Sequence, residues 1–130
     1  MHIAFNGWFW DRPDTGSGQY LRKLLHHLRR IDAELDLTLV LPPHNHQPDD
    51  LPPNVNVLTT GQGRSVGRLG KVMFEQRTFP RMVGQVQADI AHVPYWAPPL
   101  ACGVPLITTV LDVIPLLYPV YSNGIANRLY

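Results

Sequence analysis

Apolar residues along the chain follow two alternating patterns, short continuous runs and longer stretches at helical spacing. The short runs are bounded by turn residues, which is typical of strands; they cover 2–6, 35–41, 55–58, 89–93 and 105–111. Tyr20 to Ile31 carries apolar residues along one side of a helix, and a second helical pattern runs from Leu69 to Phe79, is interrupted at Pro80 and resumes through Val86. Strands alternating with helices predict an α/β fold, a Rossmann-like three-layer sandwich with a mainly parallel sheet.

A glycine-containing segment, Thr15-Gly16-Ser17-Gly18, lies between the first strand and the first helix. Gly16 and Gly18 carry no Cβ, so a phosphate or sugar can approach their backbone, and the positive end of the helix dipole favours an anion there. Ordinary capping, with Ser17 or Thr15 as the N-cap, is the alternative interpretation. The segment matches neither the P-loop nor the dinucleotide-binding fingerprint.

Three segments follow the first, fourth and fifth predicted strands: 7–18, 94–99 and 112–119. Ligands of parallel sheets bind beyond the carboxyl ends of the strands, so we expect the three segments to converge on one cleft. His92 ends the fourth strand, and it either lines this cleft or is a structural histidine of the core. Tyr95 and Trp96 follow; they either stack on a sugar or a lipid or pack the loop.

Composition narrows the class of protein. The chain has 130 residues, of which 45% are hydrophobic and 16% charged, which suits a single globular domain. The formal net charge of +1 gives no overall field that favours nucleic acid, and a single cysteine, Cys102, forms no internal disulfide. No basic leader and no apolar stretch of about eighteen residues is present. We therefore expect a cytoplasmic protein.

Basic residues suggest a second possible contact surface. They cluster on the polar side of the first helix and around the second: Arg22, Lys23, Arg29, Arg30, Arg64, Arg68, Lys71, Arg77 and Arg81. Such stripes either contact an anionic membrane, here at its inner face, or are solvated. Glu75 lies between Lys71 and Arg77, which predicts a structural ion pair.

Other chemistry has little support in the sequence. The histidine pairs His26-His27 and His44-x-His46 lack cysteine or acidic companions at zinc-like spacing, so no metal site is expected. No serine or cysteine nucleophile has an assignable histidine and acid. At the end of the chain, residues 122–130 begin an amphipathic helix that we expect to continue, so the chain reads as a single domain truncated in its last helix.

Five stretches, in order along the chain, carry a resemblance to a known family: 1–6, 15–25, Phe74-Glu75-Gln76, 88–95 and 108–119. Together they resemble the N-terminal domain of family-four glycosyltransferases with the GT-B fold. The resemblance implies two Rossmann-like domains facing each other, with a nucleotide-sugar as donor substrate and no further cofactor. The donor-binding C-terminal domain has no counterpart among these residues, so the resemblance implies an isolated chain without turnover.

The resemblance also implies roles for particular residues. Gly16, Ser17 and Gly18 match the loop that lies against the donor phosphates. Asp112 matches an aspartate that faces the cleft and is the possible catalytic residue. The residue before it is commonly histidine in the family, and here it is Leu111, which neither donates a hydrogen bond nor titrates. From their position at the end of the fourth predicted strand and just beyond it, His92, Tyr95 and Trp96 are expected to join Asp112 in the acceptor wall.

Two functions follow as expectations. The first is the acceptor-binding domain of a retaining glycosyltransferase that moves a sugar from a nucleotide-sugar to a glycan or lipid-linked acceptor, as a part of glycan biosynthesis. Its partner would be the donor-binding domain. The second is a non-catalytic Rossmann-like module for binding or self-association as a homo-oligomer, in which Leu111 marks lost chemistry.

Overall fold

The computed structural model describes residues 1–43, 48, 50–61 and 67–117. The strands are β1 (His2–Asn6), β2 (Asp36–Leu41), β3 (Val55–Thr59), β4 (Ile90–Val93) and β5 (Leu106–Thr108). The helices are α1 (Gly16–Ile31), α2 (Gly67–Met73), α3 (Phe79–Gln85) and α4 (Ile114–Leu117), and a π-helical turn, Phe74–Thr78, joins α2 to α3. The helix expected in 122–130 lies outside the described residues.

The five strands form one sheet in the order β3-β2-β1-β4-β5, and every pairing is parallel. Central β1 pairs with both of its neighbours, with Ile3 opposite Leu37 on one side and Ile90 on the other. The apolar runs of β1, β2 and β4 are buried because the sheet is covered on both faces. The predicted parallel α/β fold is confirmed.

Alternate residues of the strands build two separate cores. Ile3 and Phe5 point to the face covered by α1, where they pack with Leu21 and Leu25. On the opposite face lies a second core, which α3 and the π-helical turn share with the sheet: Ala4, Val40, Phe74, Phe79, Val83, Ala91 and Val93. Helices on both sides of a sheet give the expected three layers.

The prediction of an interruption at Pro80 is wrong, because the helix continues through it. Proline has no N–H and its ring clashes with the carbonyl four residues earlier. The π-helical turn immediately before Pro80 changes the local hydrogen bonding: the amide of Phe79 donates to the carbonyl of Phe74, five residues back. A π-helical turn is wider than an α-helical one, and α3 then runs on to Gln85.

Candidate functional site

A cavity of about 180 Å³ lies at the carboxyl end of the sheet. Its lining comes from the segments after β1, β4 and β5: Thr15, Gly16, Ser17, Tyr95, Trp96, Leu111 and Asp112. Strands β1 and β4 are neighbours, and the strand order runs outward from them in both directions. This junction is the topological switch point, where open parallel sheets bind their ligands. The three segments therefore meet at one cleft, as the order of strands in the sequence led us to expect.

The N-terminus of α1 forms one side of this cleft. Thr15 is the N-cap: its Oγ1 accepts a hydrogen bond of 3.1 Å from the amide of Gly18, and its carbonyl accepts one of 3.0 Å from the amide of Gln19. The amides of Gly16 and Ser17 open the helix, where no earlier turn offers them an intrahelical carbonyl. Two backbone donors thus adjoin the cavity at the positive end of the helix dipole.

Gly18 serves packing and does not line the cavity. A Cβ at this position would overlap the carbonyl oxygen of Arg12 and would lie 2.8 Å from that of Phe9. The glycine is therefore needed because the segment between β1 and α1 crosses the first turn of the helix closely. At Gly16, among the described residues beyond its own helix and chain neighbours, only the Cδ1 atom of Leu111 lies within 4 Å of such a Cβ, at 3.9 Å. Open space for a ligand lies at Gly16.

Tyr95 and Trp96 form the aromatic wall of the cleft. The Tyr95 ring meets the ring of Phe9 edge to face, with 4.9 Å between the centroids. The Nζ atom of Lys71 lies 5.1 Å from the centre of the Tyr95 ring and 5.3 Å from that of Phe9, within range of cation–π attraction. The same Nζ is 3.2 Å from the Oε1 atom of the fully buried Glu75. The predicted ion pair of Glu75 is confirmed, with Lys71 as its partner.

The side chain of Gln76 attaches this wall to the helix layer. Its Nε2 donates to the carbonyl of Pro98 at 3.3 Å, and its Oε1 accepts from the amide of Leu100 at 2.9 Å. Both partners belong to the loop that carries Trp96. The sequence interpretation assigned Gln76 no role. The sequence signal for this role was weak, since a glutamine next to Glu75 is equally compatible with a solvent-exposed helix position.

Leu111 and Asp112 form the third side. The Oδ1 atom of Asp112 accepts a hydrogen bond of 3.1 Å from the amide of Ile114 and so caps the short helix α4. A carboxylate has a second oxygen, so capping leaves acceptor capacity at the cavity. Leu111 is 43% exposed and presents an apolar side chain to the cleft.

His92 is placed beneath the cleft and does not line the cavity. Only 7% of the residue is exposed, and its Nε2 lies 2.8 Å from the Oγ1 atom of Thr109. Thr109 Oγ1 in turn donates to the hydroxyl of Tyr20 at 3.2 Å. Burial lowers the pKa of His92 below its ordinary value of 6.5. Burial therefore favours the neutral imidazole, which belongs to a hydrogen-bonded chain inside the protein.

Asn6 is a polar residue at the switch point that the sequence interpretation passed over. It ends β1 and is fully buried; its Oδ1 accepts from the amide of Trp8 at 3.0 Å. Its Nδ2 has no hydrogen-bond partner among the described residues. The available signal in the sequence was an amide side chain that directly follows the apolar residues 3–5 at the end of a predicted strand.

Two arginines of the expected basic surface are engaged within the protein. The guanidinium of Arg22 donates twice to the carbonyl of Trp10 and stacks on its ring. Arg29 is buried and donates to three carbonyls that hold the end of α1, those of Ala33, Leu35 and Asn54. These two charged side chains of α1 are therefore directed at carbonyls of the protein itself.

No described helix has the length and apolar character needed to cross a membrane. Among the described residues no three histidine, cysteine, aspartate or glutamate side chains lie close enough together to hold a metal ion. His44, His46 and Arg64 lie outside the described residues.

The structure thus assembles seven of the chain's residues into a small cleft at the switch point of a parallel sheet. Comparisons of the chain with protein-family models, curated proteins and solved structures found no match.

Proposed function

We propose that the chain is the acceptor-side domain of a retaining glycosyltransferase, which transfers a sugar from a nucleotide-sugar to a glycan or lipid-linked acceptor. The observation that carries the proposal is the meeting of the α1 N-terminus with Trp96 and Asp112 at one cavity. Backbone amides at a helix N-terminus suit a leaving diphosphate. An aromatic ring suits the apolar face of a sugar. The sequence stretches that resemble family-four glycosyltransferases supply several of these residues.

The size of the cavity supports a site of which this chain forms one half. Pockets that enclose a whole small ligand usually measure about 300–1,000 Å³, and this one measures about 180 Å³. It accommodates a phosphate or part of a sugar ring. Under the proposal, a second domain supplies the remaining donor contacts and closes over Gly16 and Ser17.

An exposed apolar strip beside the cleft supports a partner of some kind. Between 107 and 117 five apolar side chains are each at least 46% exposed: Ile107, Val110, Val113, Ile114 and Leu117. Several exposed apolar side chains so close along the chain favour an interaction surface there. The strip also favours the second candidate function, a non-catalytic module that associates with another copy of itself. In that case the apolar Leu111 belongs to the interface and not to a reaction site.

A charge placed at the helix N-terminus tests the donor-phosphate role. Ser17→Glu puts a carboxylate in the first turn, where the helix dipole stabilises it by about 0.3–1 kcal/mol, so the fold is retained. The same carboxylate repels a diphosphate. Ser17→Gln is the matched neutral control.

The measurement is a titration with UDP-glucose and GDP-mannose, followed by calorimetry and by the amide resonances of Gly16 and Ser17. We expect dissociation constants no tighter than about millimolar, because only backbone donors contact the diphosphate. Resonance changes should disappear in Ser17→Glu and persist in Ser17→Gln. Micromolar binding would contradict the divided site, and resonance changes confined to other residues would contradict its location. A concentration-dependent dimer that binds neither donor would favour the second candidate.

A further inference from the structure

A second and larger concavity lies away from the cleft, between the end of β3 and the helix layer. Its volume is about 770 Å³, and it shares no lining residue with the cleft. Leu58 and Thr59 form the strand side, and the opposite side is formed by α2, the π-helical turn and α3. We call this concavity the β3 groove.

The helix side of the β3 groove carries a regular stripe. Met73, Arg77, Arg81 and Gln85 line it and follow one another at intervals of four residues. Residues four apart on a helix are neighbours on its surface, and like charges at that spacing destabilise a helix. Arg77 and Arg81 are such a pair. No aspartate or glutamate is among the described residues that line the groove, so no lining carboxylate offsets their repulsion.

These two guanidinium groups differ from the engaged arginines of the fold. Arg22 and Arg29 each donate hydrogen bonds to backbone carbonyls. Arg77 and Arg81 form no ion pair with any described residue, and both are exposed. A guanidinium presents several N–H donors in a planar fork that matches phosphate and carboxylate oxygens. Two such forks, one helical turn apart, suit a ligand with several anionic oxygens.

The rest of the groove is partly apolar. Leu58, Met73 and Met82 line it together with the neutral polar side chains of Thr59 and Gln85. Methionine adapts its shape to irregular apolar ligands. A volume of about 770 Å³ also exceeds what a single phosphate occupies and falls within the usual range for small-molecule sites.

We propose that the β3 groove binds a phosphate or diphosphate group carried on an apolar molecule, with Arg77 and Arg81 holding the anion and the two methionines contacting the apolar part. This site is separate from the sugar-transfer cleft and does not depend on its assignment. The same chemistry is offered by a soluble phosphate ester and by the headgroup of an anionic lipid, so the test includes both.

The test titrates the chain with hexyl phosphate and follows the backbone resonances of α3. Arg77→Gln together with Arg81→Gln should weaken binding at least about tenfold, because hydrogen bonds between charged partners are lost. The control is Arg30→Gln together with Arg68→Gln, which changes the net charge equally at two exposed arginines outside the groove. The control should bind as the unaltered chain does. Inorganic phosphate should bind several-fold more weakly than the ester because it leaves the methionines uncovered.

Vesicles of phosphatidylglycerol and phosphatidylcholine provide the membrane arm. Binding to vesicles that is lost only in the Arg77 and Arg81 variant assigns the site to a lipid headgroup; binding of hexyl phosphate alone assigns it to a soluble ester. The proposal is overturned if neither probe binds saturably, or if both double variants weaken binding equally. It is also overturned if resonance changes occur at Gly16 and Ser17 and not at α3.

Discussion

Leu100 donates its amide to the Oε1 atom of Gln76 at 2.9 Å, so a side chain of the helix layer holds the loop that forms one wall of the cleft. The Nε2 atom of the same Gln76 side chain donates to the carbonyl of Pro98. Replacing Gln76 with alanine removes both hydrogen bonds. We expect a loss of about 1–2 kcal/mol in the free energy of unfolding and faster hydrogen exchange at the Leu100 amide.

Gln85→Ala is the matched control for this change. Gln85 is an exposed glutamine of α3 with no hydrogen bond to that loop. Its replacement should leave exchange at Leu100 unchanged. Equal exchange rates at Leu100 in both variants would show that Gln76 does not hold the loop.

Gly18 is expected to tolerate no side chain. In Gly18→Ala the new methyl overlaps the backbone carbonyl of Arg12, which cannot rotate away as a side chain could. We expect a loss of about 2–3 kcal/mol, measured by urea unfolding. Gly84→Ala is the control. A Cβ at Gly84 lies within 4 Å of no described residue beyond its own helix and chain neighbours, and alanine is favoured over glycine in a helix by about 0.5–1 kcal/mol. A smaller loss at position 18 than at position 84 would contradict this packing.

Thr15 is expected to stabilise the start of α1 through its side chain. Thr15→Ala removes the oxygen that accepts from the amide of Gly18. The free energy of unfolding should fall by about 0.5–2 kcal/mol. Thr15→Ser retains the hydroxyl and should keep most of the stability. If both variants unfold at the same urea concentration, the hydroxyl is not the stabilising group.

His92 should make the protein sensitive to acid. Burial lowers its pKa in the folded state, so below about pH 6.5 the unfolded chain binds a proton that the folded chain does not. The contribution of neutral His92 to the free energy of unfolding is then fully present above about pH 6.5, and it declines as the pH falls toward the folded-state pKa. His92→Gln keeps a polar side chain and removes this titration. Urea unfolding at several pH values should show a flatter decline in the variant, and parallel declines would assign the acid sensitivity to other groups.

The strands were predictable because burial on both faces demands continuous apolar runs, and β1 and β2 have them. The convergence of Ser17 and Asp112 followed from the same inference, since parallel strands bring their carboxyl ends to one edge. The first and last residues of the helices were harder to predict than the helices themselves. The first helix begins at Gly16 and not after Gly18, because Thr15 caps it, and Ser17 was an equally good candidate on local sequence.

Other features depend on contacts between distant residues. No local pattern indicates that Gln76 reaches Leu100 or that His92 reaches Thr109, because those distances are set by how the π-helical turn and β5 pack. The role of Gly18 likewise depends on the path of 9–12 over α1. Pro80 misled the prediction for a different reason: a π-helical turn removes the conflict that proline usually causes, and it has no simple sequence signature.

The short strand β5 lies at one end of the sheet order, and only β4 pairs with it among the described residues. Within the described part of the chain, the outer side of β5 therefore has backbone amides and carbonyls to which an added extended segment could form hydrogen bonds. A peptide added in this way would run alongside Ile107 and lengthen the sheet without disturbing either core. Addition of one strand at β5 is thus one way in which this sheet can be extended.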